Sequence, residues 1–405
     1  MKAKKVLSLL LCLCTVLGLA ACSGGGNQNS PAPSNAGNTA GEPAGDGETI
    51  QPVGNPVNLV LSTPYKQSDS YGDYLQYFMD YCTEHSGGTI TFTPYFAGTI
   101  GSAVDEIGMM SQGNVDIIAY DAAVNAFNAP GFIFCFGGYE SVEGTRDMFH
   151  HLCFDNETTA AIYKKYADAS NMTLLGVIIP NGYNCYVSSK PFKDFEDFKN
   201  NIKIGVKTEA TYTQMGFKSI ATVTRTQDYE DIRSGFVDGI ESSVDKVISM
   251  KLYEVAPYVL MNRCWNVGNW LGMNTDKFNS LSPEQQAVVK EAAQAMEDYA
   301  IEKVNELQNQ LEELVAANGG SVIKMSDDEF KYGYLNSVLY MSYPSVYSGL
   351  AAATGTEEDC KIVTGEVYNY LGYPGFPFTE MSDNSGYYLT MDGVYNAAGE
   401  KIDIY

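Results

Sequence analysis

The chain has 405 residues, more than one hydrophobic core usually spans, and 45% of them are hydrophobic, as in a globular protein. Its 49 acidic residues outnumber 25 basic ones, giving a formal net charge of −24. That balance excludes a basic face for nucleic acid and disfavours docking of the protein surface on anionic lipid.

Lys2, Lys4 and Lys5 precede an apolar run from Val6 to Leu19. The run is shorter than the ~20 residues a bilayer span needs. It ends in Leu19-Ala20-Ala21-Cys22, small residues where a secretory signal is cut. A Cys directly after the cut looks like a bacterial lipoprotein signal. Residues 1–21 are therefore expected to be removed and Cys22 to carry lipid. Residues 22–56 are rich in Gly, Ser, Pro and Asn. Such a stretch cannot bury enough apolar surface to order itself, and reads as a flexible tether.

The body from Val57 onward alternates strand and helix signals, which argues α/β. Asn58 to Ser62 starts as a strand. Leu75, Phe78, Met79 and Cys82 recur at helical spacing, and Gly87-Gly88 ends that helix. Thr89 to Thr93 alternates with period two. Ser102 and Asp105 form a capping pair, and Gly113 closes the helix they open. Val115 to Tyr120 reads as a buried strand. A second βαβ-like series follows, through Leu174 to Ile179, Ile202 to Val206, Thr211 to Met215, Gln227 to Ser234 and Val237 to Ile240, with a helix from Ser243. Ser242 with Asp245 has the pattern of a helix cap.

Ser282-Pro283-Glu284-Gln285 is a strong helix start, with a capping Ser, Pro at the first helical position and Gln at the third. Val304, Leu307, Leu311 and Leu314 continue it, and Gly319-Gly320 stops it. A helix from Pro283 to Ala317 is about 50 Å long at 1.5 Å per residue, enough to lie across two lobes. Residues 357–405 form a Tyr- and Gly-rich extension, whose turn signals at Tyr373-Pro374-Gly375 and Asp392-Gly393 predict a hairpin.

Chemistry-bearing motifs are sparse. There is no GxSxG elbow and no HExxH helix. The three histidines are His85, His150 and His151, and the last two read as a packed or surface pair. Of nine cysteines, Cys82, Cys135, Cys153, Cys185, Cys264 and Cys360 belong to the body. Their wide spacing shows no metal-ligand pattern, and most are expected to be buried thiols. No metal or cofactor is expected, and the chain reads as a non-enzyme. An exported hydrolase working through a carboxylate pair is the alternative from another class.

Several stretches in a fixed order resemble the solute-binding proteins of tripartite ATP-independent periplasmic (TRAP) transporters, over about Val57 to Gly320. They are Gly98 to Gly113 followed by Val115-Asp116-Ile117, the apolar turn Phe134 to Glu140, Lys190-Pro191 with Asp194 to Lys203, Gly235-Phe236-Val237-Asp238-Gly239-Ile240-Glu241, Tyr253-Glu254-Val255, and Leu281 to Gln285. The resemblance implies a two-lobed periplasmic-binding-protein-like (class II) α/β fold over residues 57–356, with a long helix bridging both lobes. One lobe would take residues 57–178 and the other 179–264, with 265–356 shared between them. It also implies a small organic solute captured between the lobes, integral-membrane TRAP permease subunits as partners, and an extracytoplasmic place, anchored through lipid on Cys22. A receptor for an ABC-type permease or a sensor is the nearer alternative.

Family members that bind carboxylates place an Arg just after the Lys-Ile pair. Here that position is Gly205, in Lys203-Ile204-Gly205-Val206, and a second basic position reads Asn184. Either the solute is not a simple carboxylate, or another cation replaces the Arg. Lys207 and Arg225 are the nearby candidates, with Arg225 expected to face solvent. The remaining candidate solute contacts are Tyr65, Asp121, Asn125, Tyr183, Ser242, Trp265 and Asn269, all at strand ends or lobe crossings. A lining of tyrosines and tryptophan would suit an uncharged polar solute with an apolar face.

Overall fold

The computed structural model describes residues 51–121, 141–178, 184–207, 209–262, 269–326, 329, 357–370, 388–390, 393–395 and 401–402. Cys22 and the signal segment, Asn125, Tyr183, Trp265 and the turn Phe134 to Glu140 lie outside the described residues. Residues 51–56, which composition assigns to the tether, are instead held on the body. The Val53 N–H donates to the Ser86 carbonyl at 3.1 Å, and the Gln285 amide donates to the Asn55 carbonyl at 2.7 Å.

In chain order the elements are β1 (Val57–Ser62), α1 (Ser70–His85), β2 (Ile90–Tyr95), α2 (Ala103–Ser111), β3 (Ile117–Asp121), α3 (Val142–His150), α4 (Glu157–Ala169) and β4 (Met172–Ile178). Then come β5 (Asn184–Ser188), α5 (Phe195–Asn201), β6 (Ile204–Val206), α6 (Glu209–Gln214), β7 (Ile220–Thr222), α7 (Asp228–Arg233), β8 (Gly239–Ser243), α8 (Val244–Ser249) and β9 (Tyr258–Met261). The chain continues through β10 (Asn269–Asn274), α9 (Thr275–Ser280), α10 (Pro283–Ala317) and β11 (Ser321–Lys324).

Two sheets result. The first has the order β2-β1-β3-β10-β4, with β1, β2 and β3 parallel and β10 antiparallel to both its neighbours. The second has the order β11-β9-β5-β8-β6-β7. Its strands β8, β6 and β7 are parallel, while β5 runs against both β8 and β9. Buried strand segments are largely apolar, as in Val259, Leu260 and Met261, and the buried hydrophobic residues form one connected core.

The chain passes from the first sheet to the second after Ile178 and returns before Asn269. A third passage is α10. Its start is fixed by a complete capping box, with Ser282 accepting from the Gln285 N–H and the Gln285 side chain accepting from the Ser282 N–H. It packs first on α1, α3 and β4 and then on α8, and it delivers the chain to β11 in the second sheet. The protein is thus a two-lobed α/β fold with a bridging helix. Gly319, at φ +74°, ends that helix in the left-handed conformation glycine adopts without strain.

Glu297 ties the bridging helix to β4. Its Oε1 accepts from the Val177 N–H at 2.9 Å, beside a register shift where β4 meets β10 between Leu271 and Gly272. A Cβ at Gly176 would stand 2.6 Å from that oxygen, so only glycine lets the carboxylate in. In the extension, the helix Glu357–Tyr370 is joined to the body by Lys165–Asp359 and His151–Glu366 pairs, each at 2.7 Å. Tyr388–Thr390 and Gly393–Tyr395 pair antiparallel with Thr390 opposite Gly393, the hairpin that Asp392-Gly393 predicts.

Candidate functional site

Strand direction places polar residues at one edge of each sheet. In the first sheet β3 ends at Asp121, β10 begins at Asn269 and β4 ends at Ile178, and these three stand side by side. Asn269 is 2% exposed, and its Oδ1 accepts from the Tyr65 hydroxyl at 2.7 Å. The Tyr65 ring lies 4.5 Å from that of Tyr71. The strand-to-helix loop after β1 therefore reaches the crossing strand through one hydrogen bond.

In the second sheet β5 begins at Asn184, opposite Ser243, while β6 and β8 end at the same edge. The Asn262 N–H, just past β9, donates to the Asn184 carbonyl at 3.2 Å. This edge thus gathers Asn184, Val206-Lys207, Glu241, Ser242 and Asn262. Both chain crossings leave from these two edges. Of the sequence candidates, Tyr65, Asp121 and Asn269 share the first edge, and Asn184, Gly205, Lys207 and Ser242 share the second. Asn125, Tyr183 and Trp265 fall outside the described residues.

Gly205 is buried in β6 with no room for a side chain. A Cβ there would lie 3.0 Å and 3.2 Å from the two Val223 methyls and 3.2 Å from a Val237 methyl. The space where a side chain at this position would start is filled by two valines.

Two expectations at this edge need correcting. The Ser242–Asp245 pattern does not cap α8, whose N-cap is Ser243 with no side-chain capping bond. The Ser242 hydroxyl is buried at 7% exposure without a hydrogen-bond partner, as is Asp245 Oδ1. A β-strand runs through Ser243, so the cap falls one residue later than the pattern predicts. Arg225 does not face solvent either. Its Nε donates to both Asp228 oxygens at 3.1 Å and 3.0 Å, and an Nη2 hydrogen goes to the Glu241 carbonyl. Its side chain is 19% exposed and its partner Asp228 3%.

Sequence reasoning also missed Tyr212, whose hydroxyl donates to Glu241 Oε2. Burial, and then the Glu241 charge, holds the Tyr212 phenol above its ordinary range. The motif that carries Glu241 was visible in the sequence, but nothing there paired it with a tyrosine 29 positions earlier. Lys207, by contrast, is exposed with no hydrogen bond or ion pair.

His150 pairs with Glu297 and His151 with Glu366, each at 2.7 Å. Cys82, Cys153 and Cys185 are buried free thiols, and burial pushes all three thiol pKa values up, away from nucleophilic chemistry. Among the described residues no cluster of His, Cys, Asp and Glu is placed to hold a metal, and no helix is long and apolar enough to cross a membrane. An apolar cavity of about 600 Å³ opens between α4, β4 and α9, bordered by Met172 and Phe278. It sits at the opposite end of the first sheet from Asp121 and Asn269.

Residues 61–332 match the family model described as bacterial extracellular solute-binding protein, family 7. The chain belongs to that family. A solute-binding protein of Sulfitobacter sp. (strain NAS-14.1) is 23% identical over 242 residues, covering 59% of this chain and 72% of the relative. The ectoine-binding periplasmic protein TeaA of Halomonas elongata is 25% identical over 280 residues, covering 65% and 79%. Among solved structures, an apo open TRAP periplasmic solute-binding protein from Rhodobacter sphaeroides aligns with TM-score 0.64 at 19% identity, covering 78% of this chain and 98% of that one. TeaA in its apo state aligns with TM-score 0.62 at 20% identity, covering 78% and 99%. The family 7 fold so established is the two-lobed one described above, and its members are receptors for solutes.

Proposed function

We propose that this family 7 chain is a lipid-anchored extracytoplasmic receptor that captures one small organic solute and hands it, chemically unchanged, to the membrane subunits of a TRAP transporter. The signal layout ending at Ala21 and the Cys22 that follows support the anchor and the compartment. Residues 57–356 would form the two solute-binding lobes, residues 22–50 the tether, and residues 357–405 an extension.

The observation that carries the reading is that both chain crossings leave from one edge of each sheet. Open α/β sheets bind ligands outside the ends of their strands, at such switch points. Here those ends present Tyr65, Asp121 and Asn269 on one side and Asn184, Lys207 and the unpartnered Ser242 hydroxyl on the other. Asn125, Tyr183 and Trp265 complete the candidate set, with Gly205 in β6 against Val223 and Val237. Solute held by both lobes favours the closed form by its differential affinity for that form, which is all a capture receptor requires.

Mass spectrometry of metabolites retained by the purified mature chain tests the capture. Recovery of one small compound, unaltered on long incubation, is the expected result, and a turnover product would replace the receptor by a hydrolase. The anchor is read separately. Cys22→Ala should leave the signal uncut or free the protein from the membrane fraction, and membrane retention by that variant would discard the lipid.

A further inference from the structure

The recess between α4, β4 and α9 has a volume of about 600 Å³, within the range of small-molecule sites. It lies where β4 begins, at Met172, whereas Asp121 and Asn269 stand where β4 ends. Ala160, Ala161 and Ala167 give it a wall on α4 with no side chain beyond Cβ. Met172, 2% exposed, and Phe278, 7% exposed, add buried apolar surface. The link between α3 and α4, His151–Asp155, is a π-helical turn, and it contributes Phe154. Such turns are rare and concentrate at functional sites. Phe154 is left 44% exposed beside an apolar recess, and an apolar occupant of that recess would cover it.

The polar groups around the recess restrict the occupant. Among the described residues, the charged ones that line it are Lys164 and Asp168. These two neutralise each other, with Lys164 Nζ 2.7 and 2.6 Å from the Asp168 oxygens. A charged ligand would therefore give up its hydration without meeting an unpaired counter-charge. The Thr173 and Thr275 hydroxyls, on β4 and α9, lie 3.1 Å apart. Two hydroxyls carry two hydrogens, and their mutual bond uses one. Whichever threonine donates, one hydrogen remains for an outside acceptor. Three of the lining residues, Phe154, Tyr163 and Phe278, are aromatic, which suits a ring.

We infer that this recess is a second ligand site, which takes an uncharged, largely apolar ring compound whose single oxygen accepts from the Thr173–Thr275 pair. The site is separate from the solute edges and stands whatever those edges hold. Its ligand touches α4, β4 and α9 together, so occupancy stabilises the first lobe by mass action.

2-Naphthol is the probe, because its fluorescence reports transfer out of water. Naphthalene, 2-naphthoate and 2-naphthylmethylammonium are its analogues, each titrated into the full mature chain. 2-Naphthol should bind with a Kd on the order of 100 μM. Naphthalene should bind about fivefold more weakly for want of the oxygen. Both ions should bind at least about tenfold more weakly. Ala160→Phe fills the recess from a half-buried position on α4, and Ala161→Phe does so from an exposed one. Each should lower 2-naphthol affinity by about tenfold or more while unfolding at nearly the wild-type temperature. Thr173→Val combined with Thr275→Val keeps the shape and should bring 2-naphthol down to the level of naphthalene. Unchanged affinity in the folded alanine variants would put the probe elsewhere and overturn the site. No binding to the wild-type chain, or ions bound as tightly as 2-naphthol, also overturns it. A threonine double variant that still prefers 2-naphthol to naphthalene overturns the assigned ligand class. The receptor reading is decided separately, by the retained metabolite.

Discussion

His150 is the histidine whose protonation the structure uses. Its Nε2 lies 2.7 Å from Glu297 Oε2, and Glu297 is 2% exposed. That hydrogen bond raises the His150 pKa, burial works against it, and the charges of Glu297 and Asp155 outweigh that of Arg146. A histidine whose folded pKa is raised contributes stability below its unfolded value of ~6.5, and that contribution is lost as pH rises through the folded value. His150→Gln should therefore cost roughly 1.5–3 kcal/mol near pH 5.5, the scale of a charged hydrogen bond, and progressively less above neutral pH. Urea midpoints from pH 5.5 to 9 measure it, and a pH-independent difference would remove the charge from the account. Gly205 carries a second prediction at this scale. Gly205→Arg introduces the residue that the resemblance implies for carboxylate-binding members, yet its Cβ would press on Val223 and Val237. It should destabilise by about 1–3 kcal/mol, whereas adding Val223→Ala should return part of the stability. Thermal melts of the single and double variants decide.

At the scale of elements, α10 shows what local rules can and cannot carry. Ser282→Ala removes one half of its capping box and should cost about 1 kcal/mol. Gln285→Ala should cost more, because the buried Gln285 amide also donates to Asn55 at 2.7 Å and fastens the entering chain. Equal losses in chemical denaturation would mean that the entry segment adds nothing. This helix was legible in the sequence because capping, propensity and glycine termination act within a few residues. In the second sheet β6 and β8 were legible as apolar runs for a similar reason, whereas β5, β7, β9 and β11 were not anticipated. Residues 51–56 were misassigned to the tether because their hold comes from Ser86 and Gln285, far along the chain. Arg225 was misread for the same reason. Its partner Glu241 is 16 positions away, and a left-handed arginine leaves no signature in composition. Gly205 stood out only against the resemblance, and why the position is closed required the packing of Val223.

For the whole molecule, each lobe carries an unpartnered buried polar group on a helix that packs on α10. Tyr74 belongs to α1, beside the first sheet, and Asp245 to α8, beside the second, and both helices pack on α10. The Tyr74 hydroxyl is buried at 1% exposure with no partner, and Asp245 Oδ1 is buried with none. Burial raises the Tyr74 phenol pKa most, followed by Tyr71 and Asp73, and the Asp245 charge adds to it across the lobes. A buried donor and a buried acceptor left unpaired are each penalised by about 1–3 kcal/mol, and a rotation of one lobe that brought them together would relieve both. On the receptor reading, closure around solute is such a rotation. Tyr74→Phe removes the orphaned hydroxyl, so the empty protein should melt at or above the wild-type temperature. The closed form loses its hydrogen bond, so solute affinity should fall about fivefold or more. A double-mutant cycle with Asp245→Asn should show coupling in the binding free energy and none in the stability of the empty chain. Coupling in both, or in neither, would mean that the two groups do not meet on closure and that the lobes are held together by the solute alone.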